Sequence, residues 1–354
     1  MGLRSRLLVA GIFAWLGVAA ASPAALGQGS TAVTPPAARE LGRRGDALRD
    51  QGKWEEAEAL YRKAVELEPG NAQLQNRLGV ALDRLRRWGD AEQAYREAIR
   101  TAPDNALYRY HLGSVLGRRQ QWTEAESALR EAVRLEPGNP LYHNELAYVL
   151  GAQAKWADAE TAYREAARAA PENAVYPFNL GRVLAWQKKW PEAEAELRKA
   201  LAVEPRNAQY HNELGHALDG QRKWEEAERA YREAVALAPG VAAYHANRGL
   251  MLRNLERWEE AEAAYRDALK LAPADGPLHS AFAALLFVQR KWAEAEQAYR
   301  EAIRLEPQEG VHQANLAGTL FELDRRGDAL AAAREAIRLG YQSHWVYRQL
   351  GLRP

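Results

Sequence analysis

The string His211-Asn212-Glu213-Leu214-Gly215-His216 sets two imidazoles around a carboxylate, the ingredients of a zinc-hydrolase helix. That chemistry needs the two His residues four apart, on one helix face with the Glu between them. Here they stand five apart, which breaks the shared face. His211, His245 and His279 recur at intervals of 34 residues. Packed helices lie ~8–10 Å from one another, too far for easy shared coordination of one ion. Packing or interhelical hydrogen bonding is their expected use. Arg44-Gly45-Asp46 and Arg326-Gly327-Asp328 spell a cell-adhesion tripeptide. The first falls inside an expected helix, and the second replaces a hinge of the type Arg87-Trp88-Gly89-Asp90, so both read as accidents. There is no Cys, which excludes disulfides, thiolate metal sites and thiol nucleophiles. No phosphate-binding loop, nucleophile elbow or isolated carboxylate pair stands out. No catalytic residue, cofactor or metal is expected.

What would position any functional group is a repeat. Trp54, Trp88, Trp122, Trp156, Trp190, Trp224, Trp258 and Trp292 keep a step of 34, and so do eight prolines from Pro69 to Pro307. A fixed period of this size marks a solenoid, in which each unit covers the apolar face of the next. In the unit 72–105, Leu74, Leu78, Leu82 and Leu85 recur at helical spacing and predict a first helix, A. Ala91, Tyr95, Ala98 and Ile99 predict a second, B. Pro103 stops helix B, because its ring clashes in a helix interior and restricts the residue before it. Asn105 and its equivalents Asn71, Asn139, Asn173 and Asn207 stand where an Asn caps the next helix.

Two columns hold Ala in all nine units, Ala57 to Ala329 and Ala64 to Ala336, and a third holds Gly or Ala from Gly45 to Ala317. Small side chains let the two helices of a hairpin approach; a larger one would overpack at roughly 1–3 kcal/mol. Helix B carries eight Glu/Arg pairs at i, i+4, from Glu58/Arg62 to Glu296/Arg300. Each supports its helix by roughly 0.2–0.5 kcal/mol. Their alternating charge reads as a solvated outer face.

These columns resemble the tetratricopeptide repeat. The family's Leu-Gly pair is matched by Leu78-Gly79, Leu112-Gly113, Leu180-Gly181 and Leu214-Gly215, and its later Ala, aromatic, Ala and Pro by Ala91, Tyr95, Ala98 and Pro103. The resemblance covers residues 38–343, nine units without a gap. It implies an all-α, right-handed α-solenoid of nine tandem helix-turn-helix units. Residues 344–354, with Trp345, Tyr347, Leu350 and Gly351, read as a short capping helix. The family's aromatic in the first turn of helix A is absent; Gln75, Arg109, His143, Pro177, His211, His245, His279 and Gln313 hold those places. The Trp column is expected to lock each hairpin to its neighbour.

At the N-terminus, Arg4 and Arg6 precede an uncharged apolar run from Leu7 to Ala21, and small residues follow. This is the pattern of a secretory signal peptide over residues 1–27, cleaved after Ala21 or Gly27. The run is shorter than the ~20 residues a spanning helix needs. Residues 28–37 read as a flexible linker. An exported protein, periplasmic or extracellular, is the expectation. The 48 basic and 47 acidic residues nearly cancel, which gives no support to a nucleic-acid or anionic-membrane partner.

The resemblance also implies where a partner binds. In the family the A helices line a concave groove, with the second, fifth, ninth, twelfth and thirteenth places of each unit facing it. These places vary here while the packing columns do not. The central units hold the richest set: Tyr110, Asn144, Tyr148, Phe178, Arg182, Trp186, Asn212 and His216. Aromatic and Arg side chains are the usual anchors of hot spots, and Asn offers a peptide backbone both donor and acceptor. Arg84, Arg118 and Arg182 read as able to take a carboxylate. Leu250, Ala284, Phe287, Val288 and Phe321 make a more apolar groove toward the C-terminus. The expected function is a non-catalytic adaptor that binds a peptide segment or partner protein. The alternatives are the recognition subunit of an enzyme complex, such as a glycosyltransferase or envelope assembly machine, and a self-assembling structural solenoid. Asn179, Asn247 and Asn315 fall in the column of the sugar-transferase asparagine ladder, but Glu213 and Ala281 interrupt it.

Overall fold

The computed structural model describes residues 36–353, in two compact units divided between Gln187 and Lys188. The expected signal peptide (1–27), and the linker as far as residue 35, lie outside the described residues. In residues 36–187 the helices are α1 Pro36–Asp50, α2 Trp54–Leu67, α3 Ala72–Arg84, α4 Trp88–Thr101, α5 Ala106–Arg118, α6 Trp122–Leu135, α7 Pro140–Ala152, α8 Trp156–Ala169 and α9 Val175–Trp186. Residues 188–353 hold α10 Trp190–Val203, α11 Ala208–Gly220, α12 Trp224–Leu237, α13 Ala242–Asn254, α14 Trp258–Leu271, α15 Gly276–Val288, α16 Trp292–Leu305, α17 Gly310–Glu322, α18 Arg326–Arg338 and α19 Trp345–Gln349. The fold is all-helical, a tandem of helix-turn-helix repeats, with no strand among the described residues. The first helix begins at Pro36, two residues inside the stretch expected as linker.

Local chemistry sets the boundaries. Asn71 Oδ1 accepts from the Gln73 and Leu74 amides at 3.1 Å, and Asn105 and Asn207 cap α5 and α11 in the same way. Asp275 does this for α15, accepting from Leu278 N at 2.8 Å. Helix α2 ends at Leu67, two residues before Pro69. Between helices A and B, one residue per hairpin turns left-handed. Gly52 does so in the first hairpin; Arg86, Gln120, Ala154, Lys188, Arg222, Glu256, Arg290 and Asp324 follow with φ between 57° and 62°.

The Gly of helix A sits under the aromatic of helix B. A Cβ on Gly79 would stand 2.5 Å from Tyr95 Cε1, and one on Gly45 2.6 Å from Tyr61 Cε1. A side chain there would have to push the two helices apart. The hinge Trp meets helix A of the next hairpin. Its ring lies against Arg84 (Trp54), Tyr148 (Trp122), Trp186 (Trp156) and His216 (Trp190), at 5.4–6.4 Å between centres.

The Glu/Arg pairs on helix B depart from the expected solvated face. All eight form, but the Glu side chains are largely covered and reach onward to the next hairpin. Glu126 accepts from Lys155 at 2.6 Å and from Gln153 at 2.8 Å. Glu194 accepts from Lys223 and Gln221, both at 2.8 Å. Each such Glu is a bolt between repeats rather than a surface charge. At the C-terminus, Val346 and Tyr347 are buried with Ala329, Ala332, Ala333 and Ala336 of α18, and Tyr347 Oη donates to Tyr341 O at 2.7 Å.

Candidate functional site

Places 2, 9 and 13 of helix A fall on one stripe, because steps of seven and four residues return to nearly the same side of a 3.6-residue helix. Six of the eight expected site residues lie in residues 36–187: Tyr148, Arg182 and Trp186 on this stripe, and Tyr110, Asn144 and Phe178 at the fifth place.

Three of those six are not open. Phe178 is 1% exposed, and Tyr110 and Asn144 are both 8% exposed. The fifth place is therefore a packing position between successive A helices, not an anchor point. Tyr110 stacks on Tyr142 at 5.1 Å and 28°. Burial, then the nearby Glu145 charge, pushes its hydroxyl pKa up. Asn144 Oδ1 accepts from Asn179 Nδ2 at 2.9 Å, so this atom is committed within the protein.

The other three form the open part. Trp186 is 41% exposed, its ring 5.5 Å from Trp156. Tyr148 is half-buried, edge-on to Trp122 at 6.4 Å. Arg182, also half-buried, holds its guanidinium 5.5 Å from the centre of the Phe178 ring. Among the expected residues, Phe178 and Arg182 are brought into direct contact. Cation–π contact of this kind is worth ~0.5–2 kcal/mol. It also fixes the long Arg side chain.

Asn212 and His216 belong to the second unit, one turn apart on α11. Asn212 Oδ1 accepts from Asn247 Nδ2 at 2.9 Å. The imidazole of His216 stands edge-on to Trp190 at 5.4 Å and 88°. Both are half-buried and serve the junction with a neighbouring repeat.

A sixth-place column does this work at several junctions. Arg77 pairs with Asp46 at 3.2 Å, His111 Nδ1 lies 2.7 Å from Asn76 Oδ1, and Ser114 Oγ donates to Glu145 at 3.1 Å. Asn179 and Asn247 belong to the same column. Each reaches back to the fifth or ninth place of the preceding repeat. Since Asn Oδ1 only accepts, the His111 proton is on Nδ1. Burial, with a smaller contribution from Arg118, lowers its pKa to about 4. Burial raises the Glu145 carboxyl, against the Ser114 hydrogen bond and the Arg118 charge. Arg118 is engaged by Asp83, which commits its guanidinium within the protein, while Arg84 stays exposed and lies over the Trp54 ring.

The recurrent imidazoles are structural as well. His143, His211, His245 and His279 donate from Nε2 to the carbonyls of Pro137, Pro205, Pro239 and Pro273 at 2.8–2.9 Å. Gln75 and Arg109 do the same to Pro69 and Pro103. At these six places this is the role of the column in which the family aromatic is absent.

One open feature was not singled out in the sequence. Leu107, Leu141 and Val175 occupy the second place of three successive repeats and stay half-exposed, Val175 at 40%. The signal was available, because the second place is one of the groove columns.

Hairpins of this length, packed small against aromatic and joined in series, define a tetratricopeptide-repeat protein. A single tetratricopeptide repeat matches residues 242–275. The family described as the cilia and flagella-associated protein 70 C-terminal domain matches residues 12–250, and the chain belongs to it. No curated protein matches the sequence. Among solved structures, the chain is similar to one in the crystal structure of the APC/C hetero-tetramer Cut9–Hcn1. The TM-score is 0.52 at 19% identity, over 79% of this chain and 55% of that one. The chain thus spans about half the length of that relative. YrrB, described as a TPR protein with an unusual peptide-binding site, aligns over 53% of this chain and 96% of its own at 19% identity and a TM-score of 0.48. MamA from Desulfovibrio magneticus RS-1 aligns over 48% and 96% at 24% identity and a TM-score of 0.46. These likenesses concern the fold, which is that of a scaffold consistent with protein–protein interaction.

Proposed function

We propose that this chain is a non-catalytic adaptor that holds a peptide segment or partner protein on the helix-A stripe of residues 36–187. One observation carries the reading. Trp186 presents its indole to solvent while Trp156 supports it from behind. A large ring already held in place loses little freedom on binding, which is what an interface anchor needs. Tyr148 and Arg182 share its stripe and are held in the same manner. The signal-peptide pattern supports a site of action in the periplasm or outside the cell.

Self-assembly end to end is less favoured, because the last hairpin already has a cover: Val346 and Tyr347 of α19 are buried with the alanines of α18. A recognition subunit of an enzyme complex remains the second reading, and it uses the same stripe.

The test is in-cell crosslinking with mass spectrometry, comparing the parent with a Tyr148→Ala, Arg182→Ala, Trp186→Ala variant of matched helicity. Capture of one partner by the parent and its loss in the variant support the adaptor. A catalytic subunit as that partner selects the second reading. Undiminished capture by the variant removes the stripe as the site, and capture of the chain's own copies alone removes the adaptor.

A further inference from the structure

The apolar groove expected toward the C-terminus is covered at its end by the chain itself. The start of the segment 344–353 rests on the ninth place of α17. A Cβ on Gly318 would stand 3.1 Å from Trp345 Cζ2 and 3.2 Å from His344 Cε1. The Trp345 ring is edge-on to Phe321 of α17 at 6.0 Å and lies 6.5 Å from Phe287 of α15. Other repeats hold Tyr148 or Leu250 where Gly318 stands, so the glycine makes the room that this segment occupies. The segment is lightly tied. Helix α19 has five residues, and Trp345 stays 46% exposed. Its fastenings are the buried Val346 and Tyr347, and a hydrogen bond at 3.2 Å from Arg326 Nη2 to Gln349 O.

His344 opens α19. Its Nδ1 accepts from the Val346 amide at 3.4 Å, which requires a lone pair on that nitrogen. The ring is half-buried, its centre 5.6 Å from that of Trp345 and 5.9 Å from that of Tyr347. An imidazolium would set its Nδ1–H against the Val346 N–H and leave a cation among these rings. The titratable groups on the elements round it are Glu322 of α17, Arg326 of α18, Tyr341, and Tyr347 and Arg348 of α19. Tyr347 Oη is turned to Tyr341 O, and among the described residues no carboxylate bonds to the His344 ring. Burial lowers its pKa, and no neighbouring charge offsets this. The neutral ring's contribution is therefore present above the unfolded value of 6.5 and lost as pH falls through the lower folded value.

We propose that residues 344–353 form an acid-released latch over the apolar groove of α17. The neutral His344 ring holds it shut, and protonation of that ring frees the segment and uncovers Phe287 and Phe321.

The experiment follows amide hydrogen exchange of the full chain, corrected for intrinsic rates, at about pH 7.5 and about pH 5. An apolar fluorescent dye reports the uncovered groove. In the parent, protection of residues 344–353 is expected to fall about tenfold between the two values, with dye uptake, while α17 and α18 keep theirs. His344→Asn retains a side-chain acceptor for the Val346 amide and cannot titrate, so its protection is expected to change by less than about twofold. Gly318→Leu puts a side chain where the segment lies and is expected to leave it unprotected at both values. That variant resembles the repeat with Leu250 at this place, and its helicity is checked. Unchanged protection in the parent, or an equal fall in His344→Asn, overturns the proposal. A fall that spreads through α17 and α18 overturns it too, because a latch opens alone. Full protection in Gly318→Leu at pH 7.5, or a parent that loses protection without taking up dye, overturns the covering of the groove.

Discussion

The Trp190 ring fills the space that a side chain on Gly220 would need. A Cβ on Gly220 would stand 2.3 Å from Trp190 Cδ2 and 2.5 Å from Cε2. The thirteenth place of helix A is thus where the preceding hinge Trp comes to rest. At other junctions the ring meets Arg84 or Trp186 at the same place. Gly220→Ala is expected to displace the indole and cost roughly 1–3 kcal/mol, read as a lower denaturation midpoint with altered Trp fluorescence. Gly89→Ala, with nothing within 4 Å of the added carbon, is the control and stays near the parent.

The hairpin turns hold a removable strain. Ala154 sits at φ 59°, where an L-residue costs roughly 1–2 kcal/mol relative to its preferred regions. Glycine at that place relieves the strain but loses more chain entropy on folding, by roughly 0.4–1 kcal/mol. Ala154→Gly is therefore expected to stabilise by a few tenths to about 1 kcal/mol. The reverse change, Gly52→Ala at φ 74°, is expected to destabilise. Urea midpoints at constant m decide both, and a drop in stability for Ala154→Gly would contradict the account.

The inter-repeat carboxylates make an acid-sensitive seam. Burial alone would raise the Glu194 pKa, but hydrogen bonds from Lys223, Gln221 and Arg198 bring it down to about 2. A folded-state value below the unfolded one of 4.5 means that the unfolded chain binds protons first. The stabilisation is present above pH 4.5 and is lost as pH falls toward 2. Glu194→Gln is expected to cost about 1.5–3 kcal/mol at pH 7, the range for hydrogen bonds to charged groups. The gap between variant and parent is expected to narrow steadily below pH 4.5. A gap independent of pH would show that the bolt acts by shape and not by charge.

Much of this was legible because local residue types fix it. Pro103 stops a helix wherever it falls, Asn105 caps the next, and the Gly79 and Tyr95 columns can only be neighbours across a hairpin. The site was less legible. Asn144 and Asn179 are 35 residues apart, and in the sequence each is a free surface amide; only the approach of two A helices makes them partners. Phe178 reads as an anchor until the next helix covers it. The left-handed turn at Arg86, Gln120 and Ala154 has no glycine to announce it. What distinguishes open from bolted positions is the distance between repeats, which periodicity does not carry.

His111 supplies the last prediction. Its imidazole lies among Asn76, Tyr95 and Tyr110, with Arg118 close enough to oppose a second positive charge. Burial chiefly, and Arg118 after it, lowers its pKa from 6.5 to about 4. Here too the unfolded chain takes up the proton first. The neutral ring's contribution is intact above pH 6.5 and disappears as pH falls through 4. This window lies above that of Glu194, so the two seams separate in titration. His111→Gln keeps a donor toward Asn76 Oδ1 and removes the titration. Between pH 6.5 and 4 the parent is expected to lose stability faster than this variant, and their curves to run parallel above pH 7. Equal slopes through that window would mean that the imidazole opens to solvent, and that this stretch of the first unit is looser than its packing implies.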